Sequence, residues 1–327
     1  MPPTTERAQL ADRLGLLDQL AAERGMKLEG DVALGPLTTL RIGGAADRLL
    51  EARSVDELIA ALELARSAGV PAGVLGKGSD LVVGDAGVRG LVIRNRADAI
   101  EIDGRTVHAA SGVAMATLVK RCTAAGLAGI EFGISIPGSV GGAVWANAGA
   151  HGGEMKDVVV SVDAWSPAGG TGTLPNAACA FAYRDSRFKA SGEIVLGTSM
   201  QLAVGDSAEI AARVAAAQSQ RKATQPLADQ NAGSVFRNPP GDHAGRLIDV
   251  TGLKGFRIGS AQVSTLHANF IVVDRGGSAA DVRAVGDHVR AAVADGHGIV
   301  LEYEIEFVGD WGTAERWATP TGRLAGA

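Results

Sequence analysis

The chain opens on leucines at helical spacing, Leu10, Leu14 and Leu17 followed by Ala21, and this stripe predicts an amphipathic N-terminal helix. Residues 48–75 then read as strand, helix and strand. Ser54 and Glu57 make a capping box ahead of Leu58, Ala61, Leu62 and Ala65; Gly69 closes the helix, and residues 72–75 form the short second strand. After residues 76–80 the pattern does not return to a helix: Leu81, Val82 and Val83, then residues 90–93, read as strands. Residues 126–153 hold nine glycines and one charged residue, Glu131, so a buried winding loop is expected there. Strands resume from Val158, with a turn at 167–170 and a last strand across 194–202, and residues 208–221 form a helix leading into a new unit. Beyond Gln225 and Pro226 the expected order is a helix over 245–250, a strand over 268–274, a long helix, and a strand over 299–308. In the long helix Ser278 and Asp281 form a second capping box, with Val282, Val285, Val289, Ala292 and Val293 as the buried stripe. The tail after Gly312 is expected to be disordered.

With 327 residues, 46% of them hydrophobic and 20% charged, the chain can build about two folded domains. A net charge of -5 lacks the basic excess that nucleic-acid binding requires. The two cysteines, Cys122 and Cys179, form no CxxC, and the six histidines show neither HxH nor HExxH spacing, so no metal is expected. Charged residues break up the N-terminal leucines and no segment reaches 18 apolar residues, which reads as a cytoplasmic protein without membrane insertion. Glycine changes the picture most: 45 residues, roughly twice ordinary usage, point to close backbone approach to something.

Two stretches could provide that approach. Gly76, Lys77, Gly78 and Ser79 follow a strand as phosphate loops do, but they match neither the Walker spacing nor the dinucleotide fingerprint. They read as a backbone nest for an anion between strands, or as a tight turn. Ile136, Pro137, Gly138, Ser139, Gly141 and Gly142 form a second candidate cradle, extended by Asn147, Ala148 and Gly149, or else a close packing of loop on sheet. Arg184 could hold a carboxylate or pair with Asp185, and Ser234 could donate a proton or serve a turn. From Leu301 to Phe307 the residues alternate, so Glu302, Glu304 and Glu306 share one face, which is either solvated or lines a cleft.

Taken together and in order, six motifs resemble a known family. They are Thr38-Thr39-Leu40-Arg41-Ile42-Gly43-Gly44, Leu75-Gly76-Lys77-Gly78-Ser79-Asp80, Ile136-Pro137-Gly138-Ser139-Val140-Gly141-Gly142, Tyr183-Arg184-Asp185-Ser186, Ala232-Gly233-Ser234-Val235-Phe236-Arg237-Asn238-Pro239 and Leu301-Glu302-Tyr303-Glu304. The match spans about residues 30–309 and is to the UDP-N-acetylenolpyruvoylglucosamine reductases, the MurB flavoenzymes. The resemblance implies an α+β fold with two FAD-binding subdomains of the vanillyl-alcohol oxidase type (residues 1–75 and 76–220), an α+β substrate domain (221–310) and a C-terminal tail (311–327). It implies FAD contacts at the loop from Gly76 to Ser79 and the segment from Ile136 to Gly142, NADPH as reductant and a UDP-sugar substrate, with no obligate protein partner. By the same match Arg184 and Glu304 stabilise an enolate, Ser234 protonates it, and Tyr183 and Asn238 bind substrate. The chain departs from the family in Asp80, where Asn is usual, and in Tyr303, where Pro is frequent. It also lacks the insertion that carries a substrate-capping tyrosine, and so resembles the shorter branch. The competing readings are a flavin oxidase or dehydrogenase acting on a small hydroxy acid, and a sugar-nucleotide sensor without turnover.

Overall fold

The strands on either side of residues 76–80 enter different sheets. The computed structural model describes residues 5–311. In it β1 (Glu29–Ala33), β2 (Ala45–Ala52), β3 (Ala72–Leu75) and β5 (Val88–Asn95) form one sheet, while β4 (Leu81–Val83) pairs elsewhere. The order is β1-β2-β5-β3, with β5 parallel to both its neighbours, so this sheet continues past residue 76. Helix α2 (Val55–Ala68) covers it with Leu58, Ala61, Leu62 and Ala65, and α1 (Thr5–Glu23) adds Leu17 and Ala21 to the same core. Ser54 Oγ accepts the Glu57 N–H at 3.1 Å, but the Glu57 carboxylate takes the Arg53 N–H at 2.7 Å, so the capping box closes one residue early.

The second sheet is antiparallel throughout. It contains β6 (Ile100–Asp103), β7 (Thr106–Ala110), β8 (Val159–Ser166), β9 (Gly170–Pro175) and β10 (Ile194–Gln201), in the order β9-β8-β10-β7-β6. Its core includes Val107, Val162 and Met200 and takes Met115, Leu118, Val119 and Cys122 from α3 (Met115–Ala124). Trp165 of β8 is fully buried and reaches the other core, donating its indole N–H to Glu63 of α2 at 2.7 Å. Residues 126–153 are more regular than the winding loop expected: they contain a 3₁₀ turn (Glu131–Ser135) and α4 (Val140–Trp145). Val140, Ala143 and Val144 supply the buried face that the glycine count obscured, and Ser139 caps the helix. A single turn, α5 (Phe188–Ser191), precedes β10 and buries Phe188 in the same core.

A C-terminal unit follows α6 (Ser207–Thr224). It comprises α7 (Ala244–Val250), a small sheet of β11 (Arg257–Ile258), β12 (Ala261–Val263) and β13 (Ile271–Val273), and α8 (Ala279–His297), whose Val282, Val285, Val289 and Val293 are buried. The second capping box does not form, because Asp281 turns to the Ser260 N–H and hydroxyl, both at 2.7 Å. Ser278 still caps α8, its hydroxyl accepting the Ala280 N–H at 3.0 Å, and Asp85, from the loop after β4, joins it by accepting from the Ser278 hydroxyl at 2.7 Å, the Ala279 N–H at 2.9 Å and the Ala280 N–H at 3.0 Å. Of the strand expected over 299–308, only β14 (Glu306–Val308) joins a ladder, running parallel to β4 with Glu306 opposite Leu81. Just before it the chain runs antiparallel to residues 235–237, through Glu304 N–H to Val235 O at 2.8 Å and Arg237 N–H to Glu302 O at 2.9 Å. The tail after Gly312, expected to be disordered, lies outside the described residues.

Candidate active site

Three loops meet at the edge of the first sheet. The Thr39 N–H donates to Gly78 O at 2.9 Å, binding residues 38–39 to the 76–79 loop. A Cβ on Gly76 would stand 2.5 Å from Ser139 Oγ, and one on Gly78, whose φ is +60°, 2.6 Å from Leu37 O. At Gly78 only glycine permits the approach, and a side chain at Gly76 would displace the Ser139 hydroxyl, so bare backbone lies between the loops beside the Ser79 and Ser139 hydroxyls. Lys77 is exposed beside it. Peptide edges, two hydroxyls and an ammonium group suit a diphosphate, so these residues fit the polar middle of FAD.

Arg184 is presented by a tight turn. Ala182 and Asp185 exchange backbone hydrogen bonds at 3.0 and 3.2 Å, leaving Tyr183 and Arg184 at the tip with Arg184 at φ +53°. This conformation costs a non-glycine residue about 1 kcal/mol or more and persists only where the surroundings impose it. Buried Asn147 helps to do so: its amide donates to Ala182 O at 2.8 Å and to Glu154 at 2.6 Å, and its carbonyl accepts the Lys156 N–H at 2.9 Å. Arg184 itself donates to Gly149 O and to Glu304 Oε1, each at 2.8 Å. Asp185 is not its partner, accepting the Ser186 N–H instead. Asn147 and Gly149 thus support the arginine from behind.

The C-terminal unit brings the remaining residues. Val235, next to Ser234, accepts the Glu304 N–H, so Ser234 and Glu304 lie on adjoining chain segments. Tyr183 Oη accepts the Asn238 N–H at 3.4 Å, joining these two positions across the units. Asn238 also uses its Oδ1 to accept the Ala244 N–H at the start of α7. The glutamate face of residues 302–306 divides: Glu304 meets Arg184, Glu306 meets Lys189 at 3.1 Å, and the Glu302 side chain is 75% exposed with Arg237 at 3.8 Å.

Lys189 and Arg237 complete a charge cluster that the sequence patterns did not single out. Lys189, on α5, is held over the Trp145 ring at 4.1 Å and is nearly buried. Its place five residues after Arg184 was the available signal. Burial lifts the Glu304 carboxyl above the ordinary carboxylate range, while Arg184, Lys189 and Arg237 pull it back. Asp80 is lifted further, first by burial and then by Glu304 and Glu306, with Lys189 and Arg184 opposing. The Asp80 carboxyl thus shares the field of the Glu304, Glu306, Lys189 and Arg184 cluster.

A backbone cradle for a diphosphate, set against an arginine–carboxylate pair on this pairing of sheets, defines a flavin-dependent oxidoreductase. Residues 46–174 match the FAD binding domain family, and residues 225–308 match the family described as UDP-N-acetylenolpyruvoylglucosamine reductase, C-terminal domain. The chain belongs to the UDP-N-acetylenolpyruvoylglucosamine reductase family. It is 44% identical over 277 residues to UDP-N-acetylenolpyruvoylglucosamine reductase 2 of Symbiobacterium thermophilum, covering 84% of this chain and 89% of the relative. To the Moorella thermoacetica reductase it is 43% identical over 299 residues, covering 90% and 99% of the two chains. The crystal structure of the MurB reductase from Thermus caldophilus superposes with a TM-score of 0.75 at 36% identity, covering 86% of this chain and 99% of that one. The α+β architecture with an FAD-binding region and a C-terminal α+β domain agrees with these matches. No helix among the described residues is long and apolar enough to cross a membrane.

Proposed function

We propose that the protein reduces UDP-N-acetylglucosamine enolpyruvate to UDP-N-acetylmuramate at the expense of NADPH, a step in peptidoglycan precursor synthesis. When bound, FAD supplies the relay of two electrons and a proton, as hydride, from NADPH to the vinyl terminus of the substrate. The glycine cradle at residues 76–79 and 136–142 holds the cofactor, and residues 221–310 hold the sugar nucleotide, with the adjoining Tyr183 and Asn238 binding it. As hydride adds, negative charge collects on the carbon next to the substrate carboxylate. Arg184 offers a fixed positive charge to that enolate, and Glu304, whose carboxyl burial lifts above the ordinary range, offers a hydrogen bond from its protonated form. Ser234 donates the proton that completes the new C–H bond and recovers one from solvent, so NADPH, one proton and the enolpyruvyl group become NADP and the lactyl ether. Lys189 pairs with Glu306 at 3.1 Å, which leaves Arg184 to Glu304 and the substrate. Cys122 and Cys179 are both free thiols, in keeping with a reaction in the cytoplasm.

The observation that supports this reading is the 2.8 Å contact between Arg184 and Glu304, 120 residues apart in sequence. An anaerobic absorbance titration tests it. NADPH should bleach the flavin band and the enolpyruvyl sugar nucleotide should restore it. With Ser234→Ala the bleaching should proceed as before and the restoration should slow. A band that bleaches and stays bleached with the wild type would overturn the substrate, and equal slowing of both steps in the variant would overturn the serine's role.

A further inference from the structure

Ser234 leads into a short segment that is held on both sides. On one side residues 235–237 run antiparallel to residues 302–304, and the Phe236 ring packs on Tyr303 with centroids 5.0 Å apart. The other side is taken by one residue, Asn269, in the turn between β12 and β13. Its backbone carbonyl accepts the Val235 N–H at 2.8 Å, its Oδ1 accepts the Phe236 N–H at 3.0 Å, and its Nδ2 donates to Phe236 O at 2.8 Å. Asn269 and Phe236 are both buried.

In an antiparallel ladder a partner residue satisfies the N–H and C=O of its opposite together, and the Asn269 amide does the same for Phe236. An amide presents a donor and an acceptor side by side, so the two bonds fix register as well as distance. Asn269 is itself fixed: its N–H donates to His267 Nδ1 at 3.2 Å, and the Ser264 N–H donates to Phe270 O at 2.8 Å across the same turn. Upstream of the serine the restraint is local. Gly233 has φ +81° and open space where a Cβ would stand, and its N–H bonds within the loop, to Asn231 Oδ1 at 2.9 Å. Ser234 therefore takes its place relative to Glu304 from residues 235 and 236, and Asn269 sets those.

We propose that Asn269 is a positioning residue for proton donation by Ser234: its amide stands in for a neighbouring strand and fixes the register of Ser234 to Glu304. The inference rests on the role assigned to the serine above.

Rapid-mixing absorbance of the FAD-loaded full chain tests it with two variants. Asn269→Asp keeps an acceptor for the Phe236 N–H but sets a carboxylate oxygen against Phe236 O, and Asn269→Ala removes both amide bonds without adding charge. In each, NADPH should bleach the flavin as in the wild type. Reoxidation by the enolpyruvyl sugar nucleotide should slow by about tenfold to 10²-fold, the size of a small misplacement at a reacting group, with its half-saturating concentration little changed. Amide exchange over residues 235–237 should quicken in both variants, with or without FAD. In a Ser234→Ala background neither substitution should slow reoxidation much further, because each acts through the serine. Multiplying losses in the double variants, slowing of both half-reactions, loss of the flavin band in both variants, or unchanged exchange would overturn the proposal and leave the serine's role standing. Reoxidation at the wild-type rate in Ser234→Ala alone would overturn the serine's role and the proposal with it.

Discussion

Glu304→Gln and Glu302→Gln change the same atom on residues two apart, and the structure separates their effects by orders of magnitude. Glu304 is largely buried against Arg184 at 2.8 Å, whereas the Glu302 side chain is 75% exposed and 3.8 Å from Arg237. In Glu304→Gln the amide oxygen could still accept the Arg184 N–H, so the turn at residues 182–185 should keep its shape while the acidic proton is lost. Removing one such group at developing charge costs about 3 kcal/mol, or roughly 10²–10³ in rate. An exposed, loosely paired carboxylate is worth about 0–1 kcal/mol, so Glu302→Gln should stay within about fivefold of wild type. Rapid-mixing absorbance of the two half-reactions is the assay, with the deficit of Glu304→Gln confined to reoxidation by substrate. Burial raises the Glu304 carboxyl, so its protonated form persists above the ordinary carboxylate range and is lost as pH rises through the shifted value. Reoxidation should therefore decline with rising pH in the wild type, and Glu304→Gln should lose that descending limb. Equal losses in the two variants, or an unchanged limb in Glu304→Gln, would refute the assignment.

Two further outcomes concern stability. Asp85→Ala removes the carboxylate that accepts from Ser278, Ala279 and Ala280, and should lower stability by about 1 kcal/mol in urea denaturation, the usual size of a lost cap at an exposed site; an unchanged midpoint would discount the cap. Asp80→Asn should raise the melting temperature at pH 8. A carboxyl raised in the folded state makes stability fall as pH climbs from the unfolded carboxylate value towards the folded one, so the gain should shrink as pH is lowered to about 4. A gain independent of pH would mean that Asp80 is ionised in both states.

The parts of the fold legible in the sequence are those whose periodicity is local. The stripe Leu58, Ala61, Leu62 and Ala65 and the stripe Val282, Val285, Val289 and Val293 both lie on helices as their spacing predicts. Pairing partners are not local. Nothing in Leu81, Val82 and Val83 says that they leave the first sheet to meet Glu306, Phe307 and Val308. Asp281 follows Ser278 at capping-box spacing, yet Ser260 draws it away, and Asp85, 193 residues earlier, joins Ser278 at the helix end. At the site, alternation put three glutamates on one face but could not assign Arg184, Lys189 and Arg237 to them, because those contacts span up to 120 residues. Motif order carried what spacing could not, by naming Arg184 and Glu304 together.

The docking of β14 and α8 on residues 81–85 also bears on how the chain acquires its shape. Asp85 waits for a helix cap that lies 193 residues later, and β4 has no partner strand until residues 306–308 exist. Closing so long a loop is slow and comes late. On the ribosome the first two sheets can form while Glu304 is still unsynthesised, so the glycine loop beside β4 gains its final support only once residues 306–308 have emerged. Maturation of the fold is thus tied to its last described strand, and truncation ahead of residue 304 should yield a chain with structured sheets and no Arg184–Glu304 pair.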